Sequence, residues 1–124
     1  MSNFTFKPPP REINASLIHK ISEFYKEICL LGSKIPKRAR LGIYLKIENI
    51  CLDVLTLIIT AALENKSNKF PLLNSARIRV EILKRLFRIG SELEIIELER
   101  YIQLELRLQE ISKIINGWIK YIAL

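Results

Sequence analysis

The residues of this chain whose type and spacing could do chemistry are its cations. Residues 34–46 contain Lys34, Lys37, Arg38, Arg40 and Lys46 with no acidic residue among them, and residues 77–88 contain Arg77, Arg79, Lys84, Arg85 and Arg88 against Glu81 alone. Residues 92–110 are net acidic. With 20 Lys and Arg against 13 Asp and Glu, a net charge of +7 and a pI near 9.6, this segregation implies a polarised surface. A basic patch on such a domain is the electrostatic footprint of phosphate binding. The competing reading is a charged face that is merely solvated. Membrane-surface binding ranks below nucleic acid, because a peripheral helix sets its basic arc against an exposed apolar face, whereas the apolar faces here are taken up in packing. No helix-turn-helix, zinc-finger or RNP pattern occurs, so contacts to backbone and shape are expected rather than the reading of bases.

Catalysis has little to work with. His19 is the only histidine, and the chain has no G-x-S-x-G, no H-E-x-x-H and no glycine-rich phosphate loop. Without partners at ligand spacing, His19 reads as a surface or packing residue. Glu92, Glu94, Glu97, Glu99, Glu105 and Glu110 would suit a di-metal bundle only beside a Glu-x-x-His motif, which is absent. They read instead as a solvated acidic face and a helix start that complements the helix dipole. Cys29 and Cys51 form no C-x-x-C pair and are expected to be free thiols packed as small hydrophobes, in a cytoplasmic protein. Trp118 is expected to anchor the core rather than stack on a base. The expectation is therefore no enzyme, no cofactor and no metal.

The elements that must position these charges are helical. Leu and Ile together number 40 of 124 residues and Gly and Pro only nine, a balance that excludes collagen, low-complexity disorder and turn-rich β architectures. The prolines fall at 8–10, 36 and 71 and mark breaks between helical patterns. A Pro-rich extended arm is expected over residues 1–12 and one domain over 13–124. The longest uncharged apolar-rich run, residues 54–63, is ten residues long, where a membrane span needs about 20. A first helix is expected from near Asn14, with Leu17, Ile21, Phe24, Ile28 and Leu31 on one stripe, ending at Gly32. A second, over about residues 37–64, aligns Tyr44, Ile47, Cys51, Val54, Ile58 and Ala61. After a loop at 65–71, a third helix over about 72–94 aligns Leu73, Ala76, Val80, Leu83, Phe87 and Gly90. The fourth, about 97–121, aligns Tyr101, Leu104, Leu108, Ile111, Ile115, Trp118 and Ile122 at alternating spacings of three and four. Four helices on short connections make an all-α, up-and-down antiparallel four-helix bundle.

The third helix has more apolar residues than one stripe needs. Placed 100° apart from Arg77, its core residues span about 220° to 320°, while Ile78, Ile82, Leu86, Ile89 and Leu93 span about 100° to 180°. Arg77, Lys84, Arg85 and Arg88 fill the remaining arc with Glu81 and Glu92. The second helix carries a similar surplus that includes Leu52, Leu55 and Ile59. Exposed apolar area of this kind marks an interface, and a homo-oligomer is expected through these eight residues. A wider stripe buried within one bundle is the alternative.

Several segments carry a family resemblance: Ile35-Pro36-Lys37-Arg38, the second helix closing at Asn65, Leu72-Leu73-x-x-Ala76, Leu83-x-x-Leu86-x-Arg88, and Ile111-x-x-x-Ile115-x-Gly117-Trp118-Ile119. Over about residues 17–122 the chain resembles the accessory variability determinant (Avd) family of diversity-generating retroelements. The resemblance implies a four-helix bundle assembled as a ring-like homopentamer. It implies a non-catalytic partner of the reverse transcriptase that also binds RNA or DNA while template-repeat RNA is copied into mutagenised cDNA. By position, Lys37, Arg38, Arg40, Arg77, Lys84, Arg85 and Arg88 are the candidates for nucleic-acid or polymerase contact. The bundle proteins encoded in intervening sequences of large-subunit ribosomal RNA genes look similar and are the alternative. The chain departs from the Avd pattern in its Pro-rich arm, in Asn116 and in its acidic fourth-helix start, departures that bear on surface contacts rather than on the fold.

Overall fold

The computed structural model describes residues 10–123, with side chains over 14–123. Among these residues the chain forms helices α1 (Pro10–Gly32), α2 (Lys37–Arg40), α3 (Ile43–Leu63), α4 (Lys66–Glu92) and α5 (Leu98–Ala123), and no strand. The four long helices close a ring of neighbours: α1 lies against α3 and α5, α3 against α4, and α4 against α5. Ion pairs show α1 and α5 to run antiparallel. Lys20 of α1 meets Glu110 of α5, and further along α1 Glu27 meets Arg107 and Arg100.

Every core position of the α3 and α4 stripes is buried as their periodicity predicts, from Tyr44 to Ala61 and from Leu73 to Gly90. In α1 and α5 the central positions are buried, with Leu31, Tyr101 and Ile122 partly covered at the ends. Phe24 of α1 and Phe87 of α4 meet edge to face across the bundle, with ring centroids 6.0 Å apart. Tyr44 reaches from α3 to donate its hydroxyl to the Ile28 carbonyl of α1 at 2.5 Å, which satisfies the one polar atom of an otherwise apolar ring. Trp118 is buried in the core as expected, although its indole Nε1 has no hydrogen-bond partner among the described residues.

The boundaries differ from expectation in four places. First, α1 begins at Pro10, so Asn14 is inside the helix rather than its cap. Proline is well suited to a first helical position because its missing N–H has no partner there. The expected extended arm therefore lies outside the described residues only over 1–9.

Second, the second helix is interrupted. The Leu41 N–H bonds to the Lys37 carbonyl, but Gly42 turns back to the Ala39 carbonyl and becomes the N-cap of α3. Glycine is the weakest helix former after proline, and the break lets Ile35 tuck into the core ahead of Tyr44.

Third, the expected loop over residues 65–71 begins α4. Asn65 is the N-cap and Pro71 sits within the helix. The only bond Pro71 forfeits is to the carbonyl of Ser67, an exposed residue open to water. In return, Lys69 in that first turn donates to the Ala61 carbonyl at the end of α3 and holds its ammonium 5.7 Å from the centre of the Trp118 ring. These tertiary contacts override a loop-like composition.

Fourth, α4 stops at Glu92 because the amides of Ile95 and Ile96 both fold back to the Gly90 carbonyl. Glu94 takes up the turn at a φ of 60°.

Candidate nucleic-acid interface

Two elements present the predicted cations. The short α2 exposes Lys37, Arg38 and Arg40 at the end of the bundle where α1 stops and α3 starts. None of the three has an ion pair among the described residues. On α4, Arg77, Lys84 and Arg88 recur at i, i+7 and i+11, which puts them on one flank. That flank faces α5, because Lys84 lines a groove with α5 residues. Arg85 stands further out, exposed and with no ion pair among the described residues. The others are held locally: Arg77 donates from Nε and Nη2 to Asn74 Oδ1 at 3.0 and 2.7 Å, Lys84 meets Glu81 at 3.1 Å, and Arg88 meets Glu92 at 3.5 Å. The structure thus does not gather the seven cations into one cluster, since α2 packs on α3 while the α4 flank turns to α5.

Several other charges brace the scaffold. Arg107 and Arg100 of α5 hold Glu27 of α1, and the Arg107 guanidinium lies 5.6 Å from the centre of the Phe24 ring. The Lys26 ammonium, bonded to Glu23 at 2.9 Å, keeps that carboxyl below its ordinary range. Arg79, on the opposite flank of α4, reaches Asp53 of α3 at 3.9 Å.

The eight expected interface residues divide into two patches. On α3, Glu48, Leu52, Leu55 and Ile59 follow i, i+4, i+7 and i+11, and Glu48 approaches Gly32 of α1, so this stripe lies over the α1–α3 seam. On α4, Ile78, Ile82 and Leu93 are exposed while Leu86 and Ile89 are partly covered. Asp53, Thr56 and Thr60 of α3 stand exposed between the two patches.

The thiols also separate: Cys51 is buried but Cys29 is exposed, which corrects the expectation of core packing for both. Cys29 lies one helical position past the buried Ile28, rotated out of the core. Burial pushes the Cys51 thiol up to about 12, so it is protonated packing material at neutral pH.

Two surfaces escaped the sequence reading. Leu98, Ile102 and Leu106 form an exposed apolar ladder on the first turns of α5, legible as i, i+4, i+8 but masked by the surrounding glutamates. Lys113 and Lys120 sit further along the same helix, too widely spaced to register as a charge cluster.

Among the described residues, no group of three or more His, Cys, Asp or Glu side chains could hold a metal, and no helix is long and apolar enough to cross a membrane. Architecture and site together define an all-α four-helix-bundle protein whose distinctive surface chemistry is cationic. A family model described as bAvd-like matches residues 16–122, and the chain belongs to that family, which is of an accessory, non-catalytic type. No curated protein and no solved structure matches it.

Proposed function

We propose that this chain is a non-catalytic accessory protein of a diversity-generating retroelement. It binds the reverse transcriptase and nucleic acid, as template-repeat RNA and cDNA, through its basic surface, and supports mutagenic cDNA synthesis as a ring-like homopentamer. Membership of the bAvd-like family over residues 16–122 carries this reading. Two features of the surface support it. Lys37, Arg38, Arg40 and Arg85 are exposed cations with no carboxylate partner among the described residues, available to phosphates. The apolar patches of α3 and α4 are different surfaces on different flanks, and a head-to-tail contact that closes a ring needs two unlike surfaces, whereas a twofold dimer needs one.

Sedimentation velocity with a fluorescent structured RNA at low and high salt tests both parts. The expected result is a particle near five times the 14.5 kDa chain that takes up RNA at low salt and releases it at high salt. A monomer that ignores RNA at low salt overturns the proposal.

A further inference from the structure

The outward face of α5 changes character halfway along. Its first turns present Leu98, Ile102 and Leu106. Its second half presents Gln109, Lys113, Asn116 and Lys120 at i, i+4, i+7 and i+11, all exposed. Together with Ser112, Gly117 and Lys84 of α4, these four line a groove of about 540 Å³ between α4 and α5. Among the described residues no carboxylate lines this groove. Lys113 and Lys120 have no ion pair among the described residues, in contrast to Lys84 with Glu81. At Gly117 even an added Cβ would meet nothing within 4 Å, so the groove is open there.

This lining selects a ligand class. Lysines, amide side chains and a serine hydroxyl are the groups that bind phosphate and sugar in nucleic-acid complexes. Lys113 and Lys120 lie about 10 Å apart along the axis, two helical turns, which separates two anionic sites on one extended ligand. No aromatic side chain offers a base a stacking platform, and no arginine fork is present to read a guanine edge. We propose that the α4–α5 groove is a phosphodiester-binding site that seats one strand of nucleic acid by its backbone, with Lys113 and Lys120 on two separate phosphates and Lys84 on the facing wall. The site binds without regard to base sequence. The inference rests on the nucleic-acid reading above and adds to it a place, with Lys113 and Lys120 outside both predicted basic segments joined to Lys84 from within one of them.

The test is fluorescence anisotropy of the full chain with a labelled, mixed-sequence single-stranded RNA of about 20 nucleotides across a salt series. Wild type is compared with K113E/K120E and with the milder K113Q/K120Q. Both side chains are exposed, so melting temperature and sedimentation should match wild type. The expected result is an affinity loss of about tenfold or more at low salt for K113E/K120E, equal for unrelated sequences, with a salt dependence shallower by about one to two units of slope. K113Q/K120Q should show the same shallowing and a smaller loss. A parallel titration with tripolyphosphate separates the strand from a free polyphosphate. Loss of tripolyphosphate binding with RNA affinity intact overturns the proposal in favour of a small anion. RNA affinity unchanged in both variants overturns the groove and leaves the proposed function standing, whereas wild type without RNA affinity at low salt overturns both.

Discussion

Helix α4 carries two apolar stripes of similar length and opposite fate. Leu73, Ala76, Val80, Leu83 and Phe87 are buried to 1% exposure or less and Gly90 is buried with them, whereas Ile78 and Ile82 keep more than two fifths of their surface and Leu93 more than half. Hydropathy does not distinguish them; side-chain size does. The inner stripe mixes a large ring with Ala76 and Gly90, the alternation that lets helices and loops approach closely. At Gly90 the approach is tight enough that a Cβ would lie 2.9 Å from Ile96 Cδ1. The outer stripe contains only Ile and Leu, with no small residue to admit a neighbour at close range. In α4 the small residues thus mark the face drawn into close contact within the bundle, and the uniformly bulky stripe is the face the bundle leaves open.

The sharpest way to break this comparison is to truncate the inner stripe at its largest member. Phe87→Ala removes a buried ring that packs edge to face on Phe24 and should cost about 3 to 5 kcal/mol in chemical unfolding. A cost near that of an exposed substitution would show that α4 does not bury this face. The glycines come next. Gly32→Ala sets a Cβ 2.9 Å from the Tyr44 ring, which is pinned by its bond to Ile28, so about 1 to 3 kcal/mol should be lost. Gly90→Ala meets a single side chain, Ile96, with its terminal Cδ1 nearest and Cγ1 at 3.4 Å. There the gain in helix propensity of about 1 kcal/mol should offset the contact, so a Gly90 variant as damaged as the Gly32 variant would contradict this packing.

The inner stripes were legible because a 3.6-residue period concentrates large hydrophobes on one face, a signal that survives without tertiary information. Pro71 was misread because its cost depends on whether the orphaned Ser67 carbonyl reaches water, a property of the folded surface. The start of α4 differs from expectation because Lys69 is held by the Ala61 carbonyl across the α3–α4 turn and by Trp118, which is distant in sequence. On the candidate interface, the cations of residues 37–40 and 77–88 could be seen because they cluster along the chain. Lys113 and Lys120 could not, since their relation to Lys84 exists only across the α4–α5 seam. The apolar surplus of α3 and α4 was likewise visible, but its division into two patches depends on which flank each helix turns to its neighbour.

A smaller effect is expected at the hydrogen bond from Tyr44 that links the α1 and α3 stripes. Tyr44→Phe removes the donor to the Ile28 carbonyl and should cost about 1 kcal/mol. Its pH dependence identifies the bond. Burial raises the Tyr44 hydroxyl above its ordinary value of 10.0, so the folded chain keeps the proton while the unfolded chain releases it. The stabilisation is complete below pH 10 and falls as the pH climbs above it. Unfolding titrated from neutral to alkaline pH should show that fall in wild type and less of it in the Phe variant; equal slopes would remove Tyr44 from this role.

The smallest effect on folding belongs to the outer stripe, and there the comparison becomes a statement about assembly. In an isolated bundle Ile82→Ala gives up a side chain already 41% exposed and gains helix propensity, so its unfolding free energy should stay within about 0.5 kcal/mol of wild type. A stripe covered by another copy of the chain behaves differently, because association stabilises the folded state by mass action and makes the melting temperature rise with protein concentration. Ile78→Glu with Ile82→Glu should leave the helical signal intact, abolish that concentration dependence and reduce the sedimenting mass. If the double variant keeps the wild-type mass, the outer stripe of α4 is not an interface, and the exposed ladder at Leu98, Ile102 and Leu106 becomes the surface that holds copies together.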